Sequence, residues 1–376
     1  MSAHAIVSKL VEGAFAEEAI ELAARSAREE AGGGFHAVIA FVPSSWKQHV
    51  SDLCEVLQIH ARCPRVFGCS ADGVIRDGQE IEGGEACSLL FLRLEETEIG
   101  PAVGDPGPQD SYLALVHPFQ PVEDVLEEWR HAVPGMPVYG GLASGGRVEE
   151  DIFLFDQTGI LEEESLLIRL RGRVGIRGAV SQGCRPIGEP MTITGVEGNV
   201  IESLANQNVC DLLEEAYAEL SEEEREGAGG NILVGIAMSE YKEDFEKGDF
   251  LISSILAGDP QSGSIAIAAE PEVGQTLQFQ LRDRDSAHDE MRAVCRAVVN
   301  KEGMRDQLLG GLLFTCTGRG SQLFGEAGHD AGVIRAQVGP MPLAGFFCNG
   351  EIAPVGGQNY LHAFTASMAF LVDKGK

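Results

Sequence analysis

"VYGGLASGG", residues 138–146, sets an apolar residue, one further residue, Gly140, four more residues and Gly145. The same spacing returns in "VFGCSADG" (66–73) and "LAGFFCNG" (343–350), with glycine pairs Gly68/Gly73 and Gly345/Gly350. A proline stands just upstream each time: Pro64, Pro137 and Pro342. Two glycines with four residues between them invite a phosphate loop, but such a loop needs Lys and then Ser or Thr directly after the second glycine. Here that position holds Val74, Gly146 and Glu351, and none of the three sites carries the G-x-G-x-x-G dinucleotide pattern. Two readings stay open. The glycines are either tight turns where neighbouring repeats pack, or backbone kept bare to face a ligand.

The surroundings of the loops repeat too. An apolar β-run precedes each: "AVIAFVP" (37–43), "YLALVHP" (112–118) and "GLLFTCTG" (311–318). Helical spacing fills the gap in two cases, through Trp46, Val50, Leu53, Cys54 and Leu57, and through Val122, Val125, Leu126, Trp129 and Val133. A further apolar run follows each loop: "ACSLLFLRL" (86–94), "SLLIRLRG" (165–172) and "AFTASMAFLV" (363–372). The expected fold class is therefore α/β (α+β), built from repeated strand–helix–strand–strand units with glycine-rich turns.

Between the second and third units the pattern changes. Residues 175–200 read as strands and a hairpin, and Val209, Leu212, Leu213, Ala216, Tyr217 and Leu220 mark an amphipathic helix. "SEEEREGAGG" (221–230) reads as a solvated loop. Four β-runs follow, "NILVGIAMS", "DFLISSILAG", "SIAIAAE" and "TLQFQLRD", a candidate degenerate partner of the glycine units. A helix with Met291, Val294, Cys295 and Val298 comes next, with Ser286 and Asp289 spaced as a capping pair. The expected organisation is two lobes, 1–202 and 203–376, with a small ligand in a cleft between them.

Composition limits the function. Lys and Arg number 28 against 58 Asp and Glu, a formal charge of −30, which opposes binding to nucleic acid or to an anionic membrane. The N-terminal stretch has no basic segment followed by a long apolar core, and the most apolar runs are too short to span a bilayer. Nine cysteines with no CxxC pair suit a reducing compartment, so the expected location is the cytoplasm. Cys54, Cys210 and Cys295 fall on apolar helix stripes and read as core.

The motifs together resemble a known family. "LLFTCTGRG" (312–320), "PLAGFFCNGEIAPVGG" (342–357), "LHAFT" (361–365) and "GDFLISSILAGDPQSGSIAIAAEPEVGQTLQFQLRD" (248–283) are similar to the C-terminal half of FIST-domain proteins. "RVFGCSADGVI" and "VYGGLASGG" are similar to the N-terminal half, and the likeness runs from about residue 35 to 372. The resemblance implies a stand-alone sensory module for small ligands, with amino acids proposed as ligands, read by a separate signalling protein. For some relatives it also implies haem binding and nitric oxide sensing; no cofactor is expected here otherwise. A pure adaptor or scaffold is a further alternative.

Several residues are candidates for the ligand. Arg319 and Gly318, in "CTGRG", offer a guanidinium beside accessible backbone, suited to a carboxylate or to a structural acid. Glu351, after the third glycine turn, suits an amino group; with Arg319 it would match the two ends of an amino acid, or the two would pair with each other. Gly345 and Gly350 frame that turn. His362 and Thr365 occupy the H-x-x-T position of the resemblance, opposed if the segment is a strand; His362 reads as a ligand contact, a haem ligand or a core histidine. Arg282 and Asp283, ending a strand, are secondary candidates that also suit holding each other and the next turn. Cys316 would serve a cysteine-dependent hydrolase or transferase, with Arg319 lowering its pKa and His362 or His329 as base, or it is a core thiol. Neither H-E-x-x-H nor G-x-S-x-G occurs. No catalytic residue is assigned, and the reading adopted is a ligand binder rather than an enzyme.

Overall fold

The computed structural model describes residues 4–228, 231–240, 245, 248–301 and 303–375. Contacts divide the chain into two compact units: Met1–Ser181 with Met291–Leu361 and Thr365–Lys376, and Gln182–Glu290 with His362–Phe364.

In the first unit the chain begins with β1 (Ala5–Glu12), α1 (Glu17–Ala31), β2 (Ala37–Val42), α2 (Val50–Ala61), β3 (Val66–Ser70), β4 (Gly73–Arg76), β5 (Gln79–Glu82) and β6 (Ala86–Arg93). The order nearly repeats in β7 (Thr97–Pro101), β8 (Asp110–Val116), α3 (Val122–Ala132), β9 (Val138–Leu142), β10 (Leu154–Asp156), β11 (Gly159–Ile160) and β12 (Ser165–Gly172). A third round starts with β13 (Val174–Ser181) and is interrupted by the second unit.

That second unit holds β14 (Cys184–Glu197), β15 (Val200–Leu204), α4 (Val209–Ala218), α5 (Glu222–Gly227), β16 (Ile232–Ala237), β17 (Phe250–Asp259), β18 (Ser264–Ile267) and β19 (Thr276–Arg282). The third round resumes through α6 (Arg284–Val299), α7 (Met304–Gln307), β20 (Leu308–Cys316), α8 (Gly320–Phe324), α9 (His329–Val338), β21 (Leu343–Cys348), β22 (Glu351–Val355), β23 (Gln358–His362) and β24 (Ala366–Asp373).

Three sheets follow one plan: β1-β6-β2-β3-β10-β11, β7-β12-β8-β9-β22-β23 and β13-β24-β20-β21-β4-β5. In each, one round supplies four strands around a parallel pair, and the hairpin after the glycine turn comes from another round. Round one lends β4–β5 to the sheet of round three, round three lends β22–β23 to round two, and round two lends β10–β11 to round one. The exchange closes a cycle.

The glycines explain how the strands fit. Ala40 pairs with Gly68, Ala114 with Gly140 and Leu313 with Gly345 in the three parallel ladders. A Cβ at any of these glycines would collide with the carbonyl oxygen of that partner. Only glycine allows the approach. The turns beyond them interlock. Ser144 N–H donates to Ser70 O at 3.1 Å and Asn349 N–H to Leu142 O at 3.2 Å. The third link runs through the Ser144 hydroxyl, which accepts from Asp72 N–H at 2.9 Å and donates to Phe347 O at 2.5 Å. At least here, the loops of the opening motif pack on one another.

One core is shared by all three sheets, with Phe41, Phe314 and Phe346 in mutual ring contact beside Phe67, Leu115 and Tyr139. Helices cover the other faces, which leaves β2, β3, β8, β9 and β21 buried throughout and explains their unbroken apolar runs. α1 buries Ile20, Ala24 and Ala27 at helical spacing and stops at Gly32, φ 66°. α3 does the same with Val122, Val125, Leu126 and Trp129.

The strand-rich section differs from expectation. It is a closed antiparallel barrel, β14-β15-β18-β17-β16-β19, filled by Ile193, Ile201, Val234, Ile265, Leu277 and Phe279, and it contains no parallel pair like the other three. Residue 202 lies within β15, and the compact units separate at 181 and 290. "SEEEREG" is α5, not a loop: Ser221 and Glu224 form a reciprocal capping box. At α6 the cap is Asp283, whose Oδ1 accepts Ser286 N–H at 2.8 Å, so Ser286 lies inside the helix. No helix among the described residues is long and apolar enough to cross a membrane.

Candidate functional site

β20 and β21 run parallel in the middle of their sheet, and their C-terminal ends carry the residues singled out from "FTCTGRG" and "FFCNGE". The open ends of parallel strands are where α/β sheets hold ligands. Thr315 and Cys316 end β20; Cys348, paired in register with Cys316, ends β21. Strand alternation sends Thr315 to a wholly buried face, while Cys316 is half-buried and Gly318 follows in a turn of intermediate exposure.

Arg319 is fully buried at the start of α8. Its Nε and Nη2 donate to the two carboxylate oxygens of Asp330, at 2.7 and 3.0 Å, a forked charge-assisted pair. Thr315 Oγ1 donates to the same carboxylate at 2.9 Å, and His329 Nδ1 lies 3.0 Å from it. The His329 ring stacks on Phe324, with centroids 3.4 Å apart. Burial pushes the Asp330 carboxyl up, but the Arg319 charge and the hydrogen bonds from His329 and Arg319 outweigh it and hold the group below its ordinary range.

Two other acids here go the opposite way. Glu80, on the borrowed strand β5, accepts Ala331 N–H at 2.7 Å at the start of α9. Burial and then the Asp330 charge push its carboxyl up to about 8. Glu351, the first residue of β22, is fully buried. Its Oε2 accepts Thr365 N–H at 3.1 Å and Thr365 Oγ1–H at 2.8 Å. Burial pushes it up to about 8 despite those bonds and the nearby Arg319 charge. Its other oxygen, Oε1, has no hydrogen-bond partner among the described residues. A carboxyl held neutral at pH 7 has a proton to give, and here one of its atoms is unanswered.

The structure thus brings Arg319, Glu351, Thr365 and Cys316 into one unit, and adds Asp330, Thr315 and Glu80, which the sequence reading did not pick out. Gly345 is occupied by backbone packing, and Gly350 lies against Leu142 and Leu361. His362 and Thr365 do not share an element: His362 ends β23, Thr365 precedes β24, and Phe364 between them has φ 63°. They fall in different compact units, so H-x-x-T is neither one strand nor one helix. The His362 ring is buried, at 1 % exposure. In the barrel unit, Arg282 lies with its guanidinium carbon 4.7 Å from the Phe364 ring centroid. Asp283, besides capping α6, pairs with Arg185 at 3.3 Å rather than holding Arg282.

Comparison with known proteins gives these features a family. The FIST N domain profile matches residues 36–207 and the FIST C domain profile residues 211–354. An uncharacterized protein of Mycobacterium tuberculosis (strain CDC 1551 / Oshkosh) is 38% identical over 368 residues, covering 93% of this chain and 95% of its own. An uncharacterized protein of Mycobacterium bovis is 36% identical over 377 residues, covering 95% and 96%. The chain belongs to the FIST family, whose domains are sensory and ligand-binding.

Proposed function

We propose that this FIST-family chain is a cytoplasmic sensor whose ligand is an amino acid or a related amine-bearing metabolite, read by a separate signalling protein. Glu351 carries the reading. A carboxylic acid fully buried, with one oxygen unanswered, destabilises the fold that keeps it, and such groups persist where they meet something brought from outside. An ammonium group placed on Oε1 would favour the ionised carboxylate and drive the Glu351 proton into solvent. Thr365 would hold the other oxygen in place while this happens. The Arg319 fork is committed to Asp330, so its part is to position the end of β20 and fix the field around Glu351 rather than to grip the ligand carboxylate with that edge. A ligand that favours one arrangement of these groups shifts the population a partner sees.

Titration calorimetry with the common amino acids tests this. Saturable heat is expected for at least one, varying with the ionisation heat of the buffer by an amount equal to nearly one proton released at pH 7. Glu351→Gln should abolish that buffer dependence. No saturable heat with any amino acid overturns the amino-acid reading, and a Soret band in the purified protein would replace it with the haem alternative.

A further inference from the structure

A cavity lies elsewhere in the same unit, where the tip of the β4–β5 hairpin meets the end of α9 and the loop leading into β21. Its volume is about 290 Å³, the size of a small ligand pocket, and its walls include Arg76, Asp77, Arg335, Met341 and Leu343. The wall is mixed: Ile334, Met341 and Leu343 are apolar, and Glu30, Arg76, Asp77 and Arg335 are charged.

Two arginines and two acids line it, and the acids already have partners. Asp77 is already engaged: its Oδ1 accepts Ser8 Oγ–H at 2.5 Å and Leu343 N–H at 3.2 Å, and its Oδ2 lies 2.9 Å from Arg76 Nε. Glu30 is taken by Lys9 at 2.9 Å. On the donor side, Arg76 Nε–H is buried without an aligned acceptor, so its approach to Asp77 is an ion pair and not a hydrogen bond. Arg335 has no side-chain hydrogen bond or ion pair among the described residues; its stem lies over Gly78, where a Cβ would run into Arg335 Cδ. The chain has 58 acids for 28 Lys and Arg, so a guanidinium that finds no acid is unusual here. Both acids of the cavity already have partners, Arg335 lacks one among the described residues, and Arg76 beside it makes no side-chain hydrogen bond there.

We propose that this cavity binds a small organic oxyanion, a carboxylate or phosphate ester with a short apolar body. Arg335 and Arg76 take the anionic group, and Met341 and Leu343 take the body. The site is separate from Glu351 and selects the opposite charge.

The test is nuclear magnetic resonance of the methionine methyl groups, with Met341 assigned by Met341→Leu, during titration with benzoate and with inorganic phosphate. At least one probe should shift the Met341 signal saturably below about 20 mM, well beyond the affinity expected of a few charged contacts. Arg335→Gln, an exposed position whose replacement spares the fold, should weaken that binding by about tenfold or more. Arg335→Lys should restore part of it, and Arg130→Gln, on α3, should change nothing. Shifts with benzoate alone identify a carboxylate ligand, and shifts with phosphate alone identify a phosphate ester. No saturable shift with either probe overturns the proposal, as does equal binding by Arg335→Gln or an equal shift with chloride.

Discussion

Replacing Glu351 by Gln separates what this residue does for the fold from what it does for a ligand. Glutamine keeps an oxygen for the two Thr365 donors but never ionises. In the folded chain Glu351 titrates near 8, against an ordinary value of 4.5. Between those two pH values the folded state holds a proton that the unfolded chain has lost. The stability this group contributes is therefore complete below pH 4.5 and declines as pH rises toward 8. The slope is a little over ~1 kcal/mol per pH unit, so the wild type should lose on the order of 3 kcal/mol from this group between pH 4.5 and pH 7.

The variant should lack that loss: similar to wild type near pH 4.5, and more stable at pH 7. Glu80, raised to about 8 by burial and the Asp330 charge, keeps its own decline in both proteins, so the variant's profile should flatten but not level. Asp330 acts on the other side. Its carboxyl is held low, so its contribution is present above the ordinary value of 3.8 and is lost as pH falls through the folded value. Urea unfolding followed by tryptophan fluorescence reads the correct unit, because the only two tryptophans, Trp46 and Trp129, are both buried within it. Parallel pH profiles for wild type and Glu351→Gln would refute the reasoning.

Two further substitutions test the framework around the site. Ser144→Ala removes the hydroxyl that joins Asp72 N–H to Phe347 O and leaves both backbone groups unanswered; about 2–4 kcal/mol should be lost, read by the same urea unfolding, and a loss below about 1 kcal/mol would mean the turns do not depend on that link. Arg319→Met strips Asp330 of its cation and should lower stability by about 3–5 kcal/mol, part of which Asp330→Asn in the same chain should recover; no recovery would show that Arg319 matters for packing and not for its charge.

Much of the fold could be read from the sequence because each round buries its own pattern. Runs such as "AVIAFV" and "YLALV" are apolar at every position since helices cover one face and the shared core the other. The first glycine of each spaced pair lies in a parallel ladder. The exchanged hairpins were not read, although Asp77–Gly78 and Gly356–Gly357 are turn signals directly after short β-runs. Their strands are brief, and the partner each one needs lies in another round, where local periodicity cannot see it. Asp330 was missed for a related reason. It stands eleven residues beyond Arg319 on a different helix, past the break between Gly325 and Gly328, where the period of a single element does not apply.

One local difference among the rounds was visible from the start. After the second glycine of each turn come Val74, Gly146 and Glu351. In the folded ladders the equivalent positions are Val74 opposite Phe346, Leu154 opposite Cys69 and Glu351 opposite Gly141, and two of the three carry a residue without charge. Apolar surroundings penalise the third, raising its carboxyl to about 8, and leave one of its oxygens unpaired. Where repeated units share a fold, the demands of packing apply to each round alike. A departure that lowers stability in one round alone points to a demand from outside the fold. On that argument the proposed ligand would belong at the third turn.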